Sequence, residues 1–249
     1  MKAYELQQLS IDGLTLVEKP EPQPGARQVV VKVHAVSLNY RDLMVTKGTY
    51  NPRLKLPMIP FSDGAGEITA VGSEVKSFKV GDRVIGTFFQ NWTGGEPNEA
   101  KARTAKGGGD QPGMLAEYVA LEETGVIALP EHLSYEEGAT LPCAALTAWN
   151  AVVDKGQTKA GDTVLVQGTG GVSIFAAQFA LMHGAKVIAT SSSDEKLARL
   201  AAMGVTNGVN YKTNPDWDKA AKELNNGAGI DHVVEVGGKI RGDARGIDG

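Results

Sequence analysis

The chain has 249 residues, of which 42% are hydrophobic and 22% charged, and its formal net charge at pH 7 is −4. This length predicts one or two domains, and the composition is typical of a globular protein with a sizeable buried core. A chain without a basic excess is a poor candidate for binding nucleic acid or an anionic membrane surface, so neither is expected as a partner.

The chain has a single cysteine, Cys143, which excludes an internal disulfide and a cysteine-rich zinc site. Such low cysteine usage is typical of a reducing compartment. The first ten residues contain no apolar segment followed by a cleavage site, and no apolar run approaches the roughly 20 residues of a membrane-spanning helix. We therefore expect a cytoplasmic protein without a secretory signal or a membrane anchor.

The first half of the chain has the pattern of strands and turns. Hydrophobic and polar residues alternate over 28–36, which predicts a half-buried strand. The ranges 67–71 and 83–86 show the same pattern. The range 91–113 is polar and rich in glycine, and we expect it to form a mobile loop.

The second half has the pattern of alternating strands and helices. A capping box at Ser134–Glu137 predicts a short helix that ends at Pro142, and a second helix follows over 144–153. Later strands are predicted at 163–167, 186–190, 209–211 and 231–236, with helices at 172–183, from a capping box at 192–195, and from Pro215. This order predicts a doubly wound parallel sheet with helices on both faces.

These patterns divide the chain into three parts. Residues 1–129 are expected to form a β-rich domain, and residues 130–238 an α/β domain. The range 239–249 is polar and glycine-rich, without the period of a strand or a helix.

A phosphate-binding sequence follows the first strand of the second half: Gly168, Thr169, Gly170, Gly171, Val172 and Ser173. Gly168 permits a tight turn, Gly170 lets a pyrophosphate approach the backbone, and a small residue at 173 permits close packing of helix on strand. The dipole and free N–H groups of the following helix attract phosphate. The alternative is a glycine-rich turn in an unrelated α/β protein, but the strand before and the helix after favour dinucleotide binding.

The residues after the second strand favour NADP(H) over NAD(H). An NAD site usually has a carboxylate about 20 residues after the first glycine. Here Ser191 and Ser192 occupy that region and Lys196 lies one turn later, so donors and positive charge are available for a 2′-phosphate. Asp194 and Glu195 are expected to cap the next helix instead.

Several segments together resemble the medium-chain dehydrogenase/reductase superfamily, and most of all its zinc-independent, quinone-oxidoreductase-like members. The segments are 33–42, 62–66, 80–84, 141–149 and the phosphate-binding sequence, and the resemblance extends to Gly238. It implies a GroES-like substrate domain followed by a Rossmann domain that binds the cofactor.

The resemblance also implies that zinc is absent. Zinc-containing members hold a catalytic metal through cysteine and histidine, whereas here Asn39 and Ser62 stand at the first two ligand positions. Only Cys143 keeps a ligand type, and a catalytic zinc needs at least three protein ligands. We interpret Cys143 as a small buried residue beside the cofactor cleft. The range 91–113, where a structural zinc would be held, has no cysteine.

Further roles follow from the same resemblance. Thr147 is expected near the nicotinamide, and Lys196 and Tyr211 match positions that contact the 2′-phosphate in quinone reductases. Asn39 and Asp42 match polar residues of the active-site cleft. Tyr40 and Tyr50 are candidate proton donors, although buried aromatic packing is the favoured interpretation of both.

The resulting hypothesis is an NADPH-dependent, zinc-independent oxidoreductase that reduces a small molecule, either a quinone or an α,β-unsaturated carbonyl compound. Conjugated acceptors need less polarisation than isolated carbonyls, and hydrogen bonds from Asn39 or backbone N–H groups would meet the developing charge. An enoyl-thioester reductase, a zinc-free alcohol dehydrogenase and a nucleotide-binding protein without turnover remain as alternatives.

Family members continue beyond the strand that ends at Gly238, so we expect this chain to be truncated at its C-terminus. The strand at 231–236 would then be an exposed edge that promotes association. Full-length relatives are expected to be homodimers, and the state of this chain stays open.

Overall fold

The structure, a computed structural model, describes residues 1–237. Tertiary contacts divide the chain into a first unit, Met1–Cys143, and a second unit that begins at Ala144. Among the described residues, no helix is long and apolar enough to cross a membrane.

The first unit is built on antiparallel strands: β1 (Lys2–Leu6), β2 (Leu14–Glu18), β3 (Gln28–Ser37), β4 (Asp63–Val71), β5 (Arg83–Gly86), β6 (Tyr118–Glu122) and β7 (Val126–Ala128). Five of them form one sheet in the order β6-β3-β4-β5-β7, and β1 pairs with β2. The alternation predicted for β3 is present, since Val29 and Val31 are buried while Lys32 and His34 are exposed. Two register shifts between β3 and β4 bend this pair of strands.

Three short helices belong to the first unit: α1 (Tyr40–Thr46), α2 (Glu99–Arg103) and α3 (Tyr135–Ala139). The capping box predicted for α3 is confirmed, because the Ser134 Oγ accepts from the Glu137 backbone N and the Glu137 carboxylate accepts from the Ser134 N. Pro142 does not end this helix, which already ends at Ala139. Pro142 lies in a following π-helical turn, Leu141–Ala145.

The range 91–113 is more ordered than its composition suggests. It contains α2, whose N-cap Asn98 accepts from the Lys101 N, and isolated bridges pair Phe89 with Ala105 and Lys106 with Gln111. The range is therefore not a loop throughout, and its expected mobility stays a prediction. Polar side chains that bond to the backbone give this range its structure, and composition alone does not reveal such bonds.

The second unit is an α/β layer structure. Its elements are α4 (Leu146–Trp149), β8 (Thr163–Gln167), α5 (Gly171–Met182), β9 (Lys186–Ser191), α6 (Asp194–Ala202), β10 (Asn207–Asn210), α7 (Trp217–Leu224) and β11 (His232–Val234). The four strands are parallel, in the order β10-β9-β8-β11. Alternate residues of β8 face opposite sides: Val164 and Val166 pack towards α5, and Leu165 packs towards α7.

The predicted fold class, a β-rich domain followed by a partial doubly wound parallel sheet, is confirmed. Several boundaries differ from the prediction. A second π-helical turn, Asn150–Lys155, follows α4. The helix expected from Pro215 begins at Trp217, after its N-cap Asp216, and β11 has only three residues. Residues 238–249, including the predicted tail, lie outside the described part of the chain.

The domain limit predicted near 129 differs from the division by contacts at Cys143. The cause is α3, which follows the predicted limit but packs on β3 and β4 of the first unit. The domain limits at 129 and 238 stay a prediction.

Candidate functional site

The turn after β8 is shaped by a glycine in the left-handed region. Gly168 has a φ of +83°, a conformation that side chains other than glycine rarely adopt. Its N–H donates to the Thr190 carbonyl oxygen at 3.0 Å, which joins the carboxyl ends of β8 and β9. The glycine loop, Gly168–Gly171, therefore lies where the strand order reverses, because β9 and β11 flank β8 on opposite sides.

The glycine loop leads directly into the N-terminus of α5. Gly170 is the N-cap residue of α5, and no side chain caps this end. A Cβ atom built on Gly170 would meet no atom within 4 Å, so its side-chain direction points into open space. An uncapped helix start with an open approach to its backbone fits a pyrophosphate.

Ser173 takes the third position of the fingerprint and ties the helix to the strand before it. The side chain is buried, and its Oγ donates to the Gln167 carbonyl oxygen at 2.9 Å. A small residue here permits close packing of α5 on β8, as predicted. Thr169 and Val172 are both partly exposed beside these residues.

Three serines stand at the end of β9, and the first two, Ser191 and Ser192, are the predicted cofactor-binding residues. Ser191 is buried, and its Oγ accepts from the Ser193 N at 3.3 Å. Ser193 is the N-cap residue of α6 and accepts from the Lys196 N. The predicted capping box from Ser192 to Glu195 is therefore wrong by one residue, and the side chain of Ser192 is not used for capping.

The first carboxylate after β9 in the chain, that of Asp194, is already bonded. Asp194 Oδ1 accepts from Asn210 Nδ2 at 2.8 Å, which links α6 to the end of β10. Lys196 is exposed on the first turn of α6, and its side chain has no ion pair within the described residues. Tyr211 follows β10, is partly exposed, and donates its N–H to the Ser191 carbonyl oxygen at 3.0 Å. The carboxyl ends of the parallel strands β9 and β10 therefore lie side by side.

Thr147 lies one turn along the helical segment from Ala144. A Cβ atom built on Gly171 would lie 3.4 Å from the Ala144 Cβ, so this segment lies against the glycine loop. Residues three apart share a helix face, and Thr147 is exposed. The position of Thr147 near the nicotinamide stays a prediction.

The first unit contains a polar network centred on Asp63, and most of its side chains are buried; Cys143 is partly exposed, so the expectation that it is buried is wrong. We name it the Asp63 network, and its members are Asn39, Asp42, Ser62, Asp63, Lys106 and Cys143. The fully buried Asp63 carboxylate accepts from Ser62 Oγ at 2.6 Å and from the Cys143 backbone N at 2.9 Å. Burial raises the pKa of Asp63, and the hydrogen bonds from Ser62 Oγ and the Cys143 N oppose that rise.

Asn39 and Asp42 form the start of α1. Asp42 Oδ2 accepts from the Asn39 backbone N at 2.8 Å, while Asp42 Oδ1 has no partner among the described residues. Burial raises the pKa of Asp42 to about 6. Asn39 Nδ2 is also buried and has no hydrogen-bond partner among the described residues, which makes it an available donor.

The two tyrosines are not buried, so the favoured packing interpretation is wrong. Tyr40 is 72% exposed and Tyr50 is 47% exposed. Tyr40 is the first residue of α1, which turns its ring outward. The Tyr50 ring is covered on one face by the Arg41 guanidinium, whose centre lies 4.6 Å from the ring centroid.

Lys106 is the member of the Asp63 network that the sequence did not reveal. It is fully buried, and its Nζ has no hydrogen-bond partner within the described range. Burial lowers the pKa of Lys106 to about 7, and the charge of Asp63 opposes this effect. Lysine in a glycine-rich segment usually indicates a solvated loop, so no local signal pointed to this residue.

The residues at the positions of the family's zinc ligands do not fit zinc. Asn39 and Ser62 are weak ligands for this metal, and burial raises the pKa of Cys143 to about 11, which keeps its thiol protonated. Over residues 1–237, no group of three or more His, Cys, Asp or Glu residues could hold a metal ion.

Two family models match the chain. The Alcohol dehydrogenase GroES-like domain matches residues 25–131, and the Zinc-binding dehydrogenase family matches residues 171–242. The first match lies in the antiparallel unit, and the second begins within the glycine loop.

Curated relatives carry alcohol dehydrogenase and quinone oxidoreductase names. A zinc-type alcohol dehydrogenase-like protein of Schizosaccharomyces pombe is 49% identical over 233 residues, which cover 92% of this chain and 66% of the relative. Human quinone oxidoreductase is 33% identical over 216 residues, covering 86% of this chain and 59% of the relative. The chain thus spans about three fifths to two thirds of these relatives.

Solved structures show the same similarity. A putative alcohol dehydrogenase from Sinorhizobium meliloti 1021 has a TM-score of 0.88 and 42% identity, over 95% of this chain and 70% of that one. A protein described as an NAD-dependent alcohol dehydrogenase has a TM-score of 0.85 and 38% identity, over 94% and 70%.

Proposed function

The chain belongs to the medium-chain dehydrogenase/reductase superfamily, and from this premise we propose that it is a nicotinamide-dependent oxidoreductase that prefers NADP(H) and works without zinc. Its proposed substrates are small conjugated acceptors, either quinones or α,β-unsaturated carbonyl compounds. The cytoplasm is the proposed compartment.

The observation that carries the proposal is the glycine loop. Gly168 makes a turn that few other residues tolerate, Gly170 leaves the approach to the backbone open, and α5 begins without a side-chain cap. Together these features supply N–H donors and a helix dipole for a pyrophosphate. The bound cofactor would supply the hydride, and the protein would position it.

The end of β9 supports the preference for NADP(H). Ser191 and Ser192 stand where a carboxylate would bind the ribose of NAD, and Asp194 is bonded to Asn210. Lys196 and Tyr211 are both exposed at this edge of the sheet. A lysine ammonium group without an ion pair can bind a phosphate as a point charge.

The first unit supports chemistry without a metal. Asn39 Nδ2 is a buried donor without a good partner, and its position is fixed because the Asp42 carboxylate accepts from the Asn39 backbone N. Such a donor can stabilise negative charge that develops on a carbonyl oxygen during reduction. A conjugated acceptor spreads this charge and therefore needs less polarisation than an isolated carbonyl.

Steady-state assays test the proposal. NADPH and NADH are each offered with a quinone, an enone, an enoyl thioester and a simple ketone. We expect NADPH to be oxidised with the quinone or the enone, at a kcat/KM at least about tenfold above that with NADH. Fastest turnover of the enoyl thioester or the ketone would identify a different activity. NADPH binding without turnover of any acceptor would identify a nucleotide-binding protein.

A further inference from the structure

The side chain of Arg41 contacts two aromatic rings of the first unit. Its guanidinium centre lies 4.6 Å from the Tyr50 ring centroid and 4.5 Å from the Phe88 ring centroid. Both distances fit a cation–π contact, and a planar guanidinium group stacks on a ring in a way that an ammonium group does not. Arg41 therefore joins α1 to the residues that follow it and to the segment after β5.

The backbone of residues 106–108 also holds the guanidinium group. Arg41 Nη1 donates to the Lys106 carbonyl oxygen at 3.2 Å. A Cβ atom built on Gly108 would lie 2.5 Å from Arg41 Nη2, so this glycine leaves the space that the guanidinium group fills. Arg41 Nε and Nη2 are buried and have no hydrogen-bond partner within residues 1–237. Because unpartnered buried donors cost free energy, stability alone does not explain an arginine at this position.

The two ends of α1 are held by different contacts. At the C-terminal end, Val45 is buried in an apolar cluster. At the N-terminal end, Tyr40 is exposed, and the Asp42 carboxylate accepts from the Asn39 backbone N within the same helix start. Arg41 extends from this end to three other segments of the unit. It therefore connects the start of α1, where Asn39 lies, to its surroundings.

We propose that Arg41 is a positioning residue that fixes the start of α1, and with it the side-chain amide of Asn39, through its contacts with Tyr50 and Phe88. The catalytic consequence rests on the proposed function, in which Asn39 Nδ2 stabilises negative charge on the substrate oxygen. Such a donor has to be held within about 0.5 Å of its working position, because a displacement of about 1 Å can cost about a hundredfold in rate. The planar shape of the Arg41 side chain is then required, and not only its charge.

NMR of the Asn39 side-chain amide tests the positioning without turnover. Its two Nδ2–H resonances are identified by their loss in Asn39→Ala. We expect one sharp pair in the wild type. In Arg41→Lys, which keeps the charge and loses the planar group, the pair should broaden or split because the start of α1 adopts more than one position. An Asn39 pair that is equally sharp and unshifted in Arg41→Lys would overturn the proposal.

Arg83→Lys is the matched control for this measurement. Arg83 lies in the same unit, its guanidinium centre is 4.7 Å from the Tyr135 ring centroid, and its Nη2 donates to the Leu133 carbonyl oxygen at 2.6 Å. It thus loses the same kinds of contact on substitution, but it does not lie on α1. The Asn39 pair should keep its wild-type shape in this variant, and a pair that broadens as much as in Arg41→Lys would contradict a specific role of Arg41.

A double-mutant cycle on turnover tests whether Arg41 acts through Asn39. The kcat and the NADPH Kd are measured for the wild type, Asn39→Ala, Arg41→Lys and the double variant. We expect Arg41→Lys to lower kcat by about ten- to a hundredfold without a change in the NADPH Kd. The double variant should be no slower than Asn39→Ala, because the donor that Arg41 positions is already gone. Effects on kcat that multiply in the double variant would refute a role through Asn39.

Substitutions of Phe88 repeat the test with Arg41 in place, so the result does not depend on the folding of Arg41→Lys. Phe88→Leu removes one of the two rings and should broaden the Asn39 pair, whereas Phe88→Tyr keeps a ring and should preserve the wild-type pair. If no acceptor is turned over, the proposed function fails, while the amide resonances still decide the positioning. An Asn39 pair that is the same in Phe88→Leu, Phe88→Tyr and the wild type would contradict the proposal.

Discussion

The glycine loop and the Asp63 network are both polar sites, but the first is built from exposed backbone groups and the second from enclosed side chains. The glycine loop presents backbone N–H groups at an open strand end, and Gly170 faces empty space. The Asp63 network encloses side chains from α1, β4 and two later segments, and several of its polar atoms have no partner within the described residues. Changes in the loop should therefore affect ligand binding alone, whereas changes in the network should affect both stability and chemistry.

The largest expected effect is that of Gly170→Val on cofactor binding. The φ of −79° suits any residue and the new side chain meets no protein atom, so the fold should be unaffected. The side chain would occupy the approach to the helix N-terminus and should weaken NADPH binding by about a hundredfold or more. Fluorescence titration and thermal unfolding measure the two effects. The matched control is Gly94→Val, at an open glycine of the first unit. An unchanged NADPH Kd in Gly170→Val would refute the assigned phosphate site.

The next effect is that of Asn39→Ala on turnover. Removal of a donor to a developing oxyanion typically lowers kcat by about 10²–10³. The NADPH Kd should not change, because Asn39 lies in the unit without the glycine loop. Pre-steady-state kinetics with the best acceptor measure the effect on turnover separately from the effect on the NADPH Kd. If the variant keeps the wild-type kcat, Asn39 does not act as the donor.

Lys196→Ala should discriminate between the two cofactors. Loss of hydrogen bonds to a charged phosphate costs about 1.5–3 kcal/mol, which is about ten- to a hundredfold in NADPH affinity. NADH affinity should hardly change. Arg199→Ala removes another exposed cation from α6 and serves as the control. Equal weakening of both cofactors in Lys196→Ala would contradict the assignment to the 2′-phosphate.

The smallest effect is a pH-dependent gain of stability in Asp42→Asn. The folded state raises the pKa of Asp42 to about 6, above its unfolded value, so it binds more protons than the unfolded state between about pH 4 and 6. Wild-type stability should therefore fall as the pH rises through this window. Asp42→Asn removes this penalty and should be more stable by about 1–2 kcal/mol above pH 6, after allowance for relaxation around the buried group.

Urea unfolding at several pH values measures the effect at Asp42. Asp12→Asn, at an exposed aspartate of the same unit, is the control. A stability difference between Asp42→Asn and the wild type that does not change with pH would contradict the burial effect on Asp42.

The glycine loop could be predicted because its signal is local. A strand, three glycines and a helix follow one another within twenty residues. The errors nearby are also local: with three serines in a row, the sequence does not decide which one caps α6, and the capping hydrogen bond selects Ser193. Likewise Pro142 suggests a helix end, but packing accommodates it inside a π-helical turn.

The Asp63 network could be predicted only in part because its members are far apart in the chain. Asn39 and Asp42 were found through the family resemblance, whereas Lys106 joins them only in the folded chain. The exposure of Tyr40 depends in the same way on the direction in which α1 turns its first residue. Composition and periodicity contain no information about such long-range contacts.

We propose that this chain reduces its substrate with NADPH and without zinc. Elemental analysis of purified, dialysed protein, combined with an assay of NADPH oxidation before and after a zinc chelator, tests both parts on one sample. We expect far less than about one zinc per chain and the same kcat/KM after chelation, because Asn39 and Ser62 replace two of the three ligands that a catalytic zinc needs. About one zinc per chain, with activity lost on chelation and restored by added zinc, would contradict the claim.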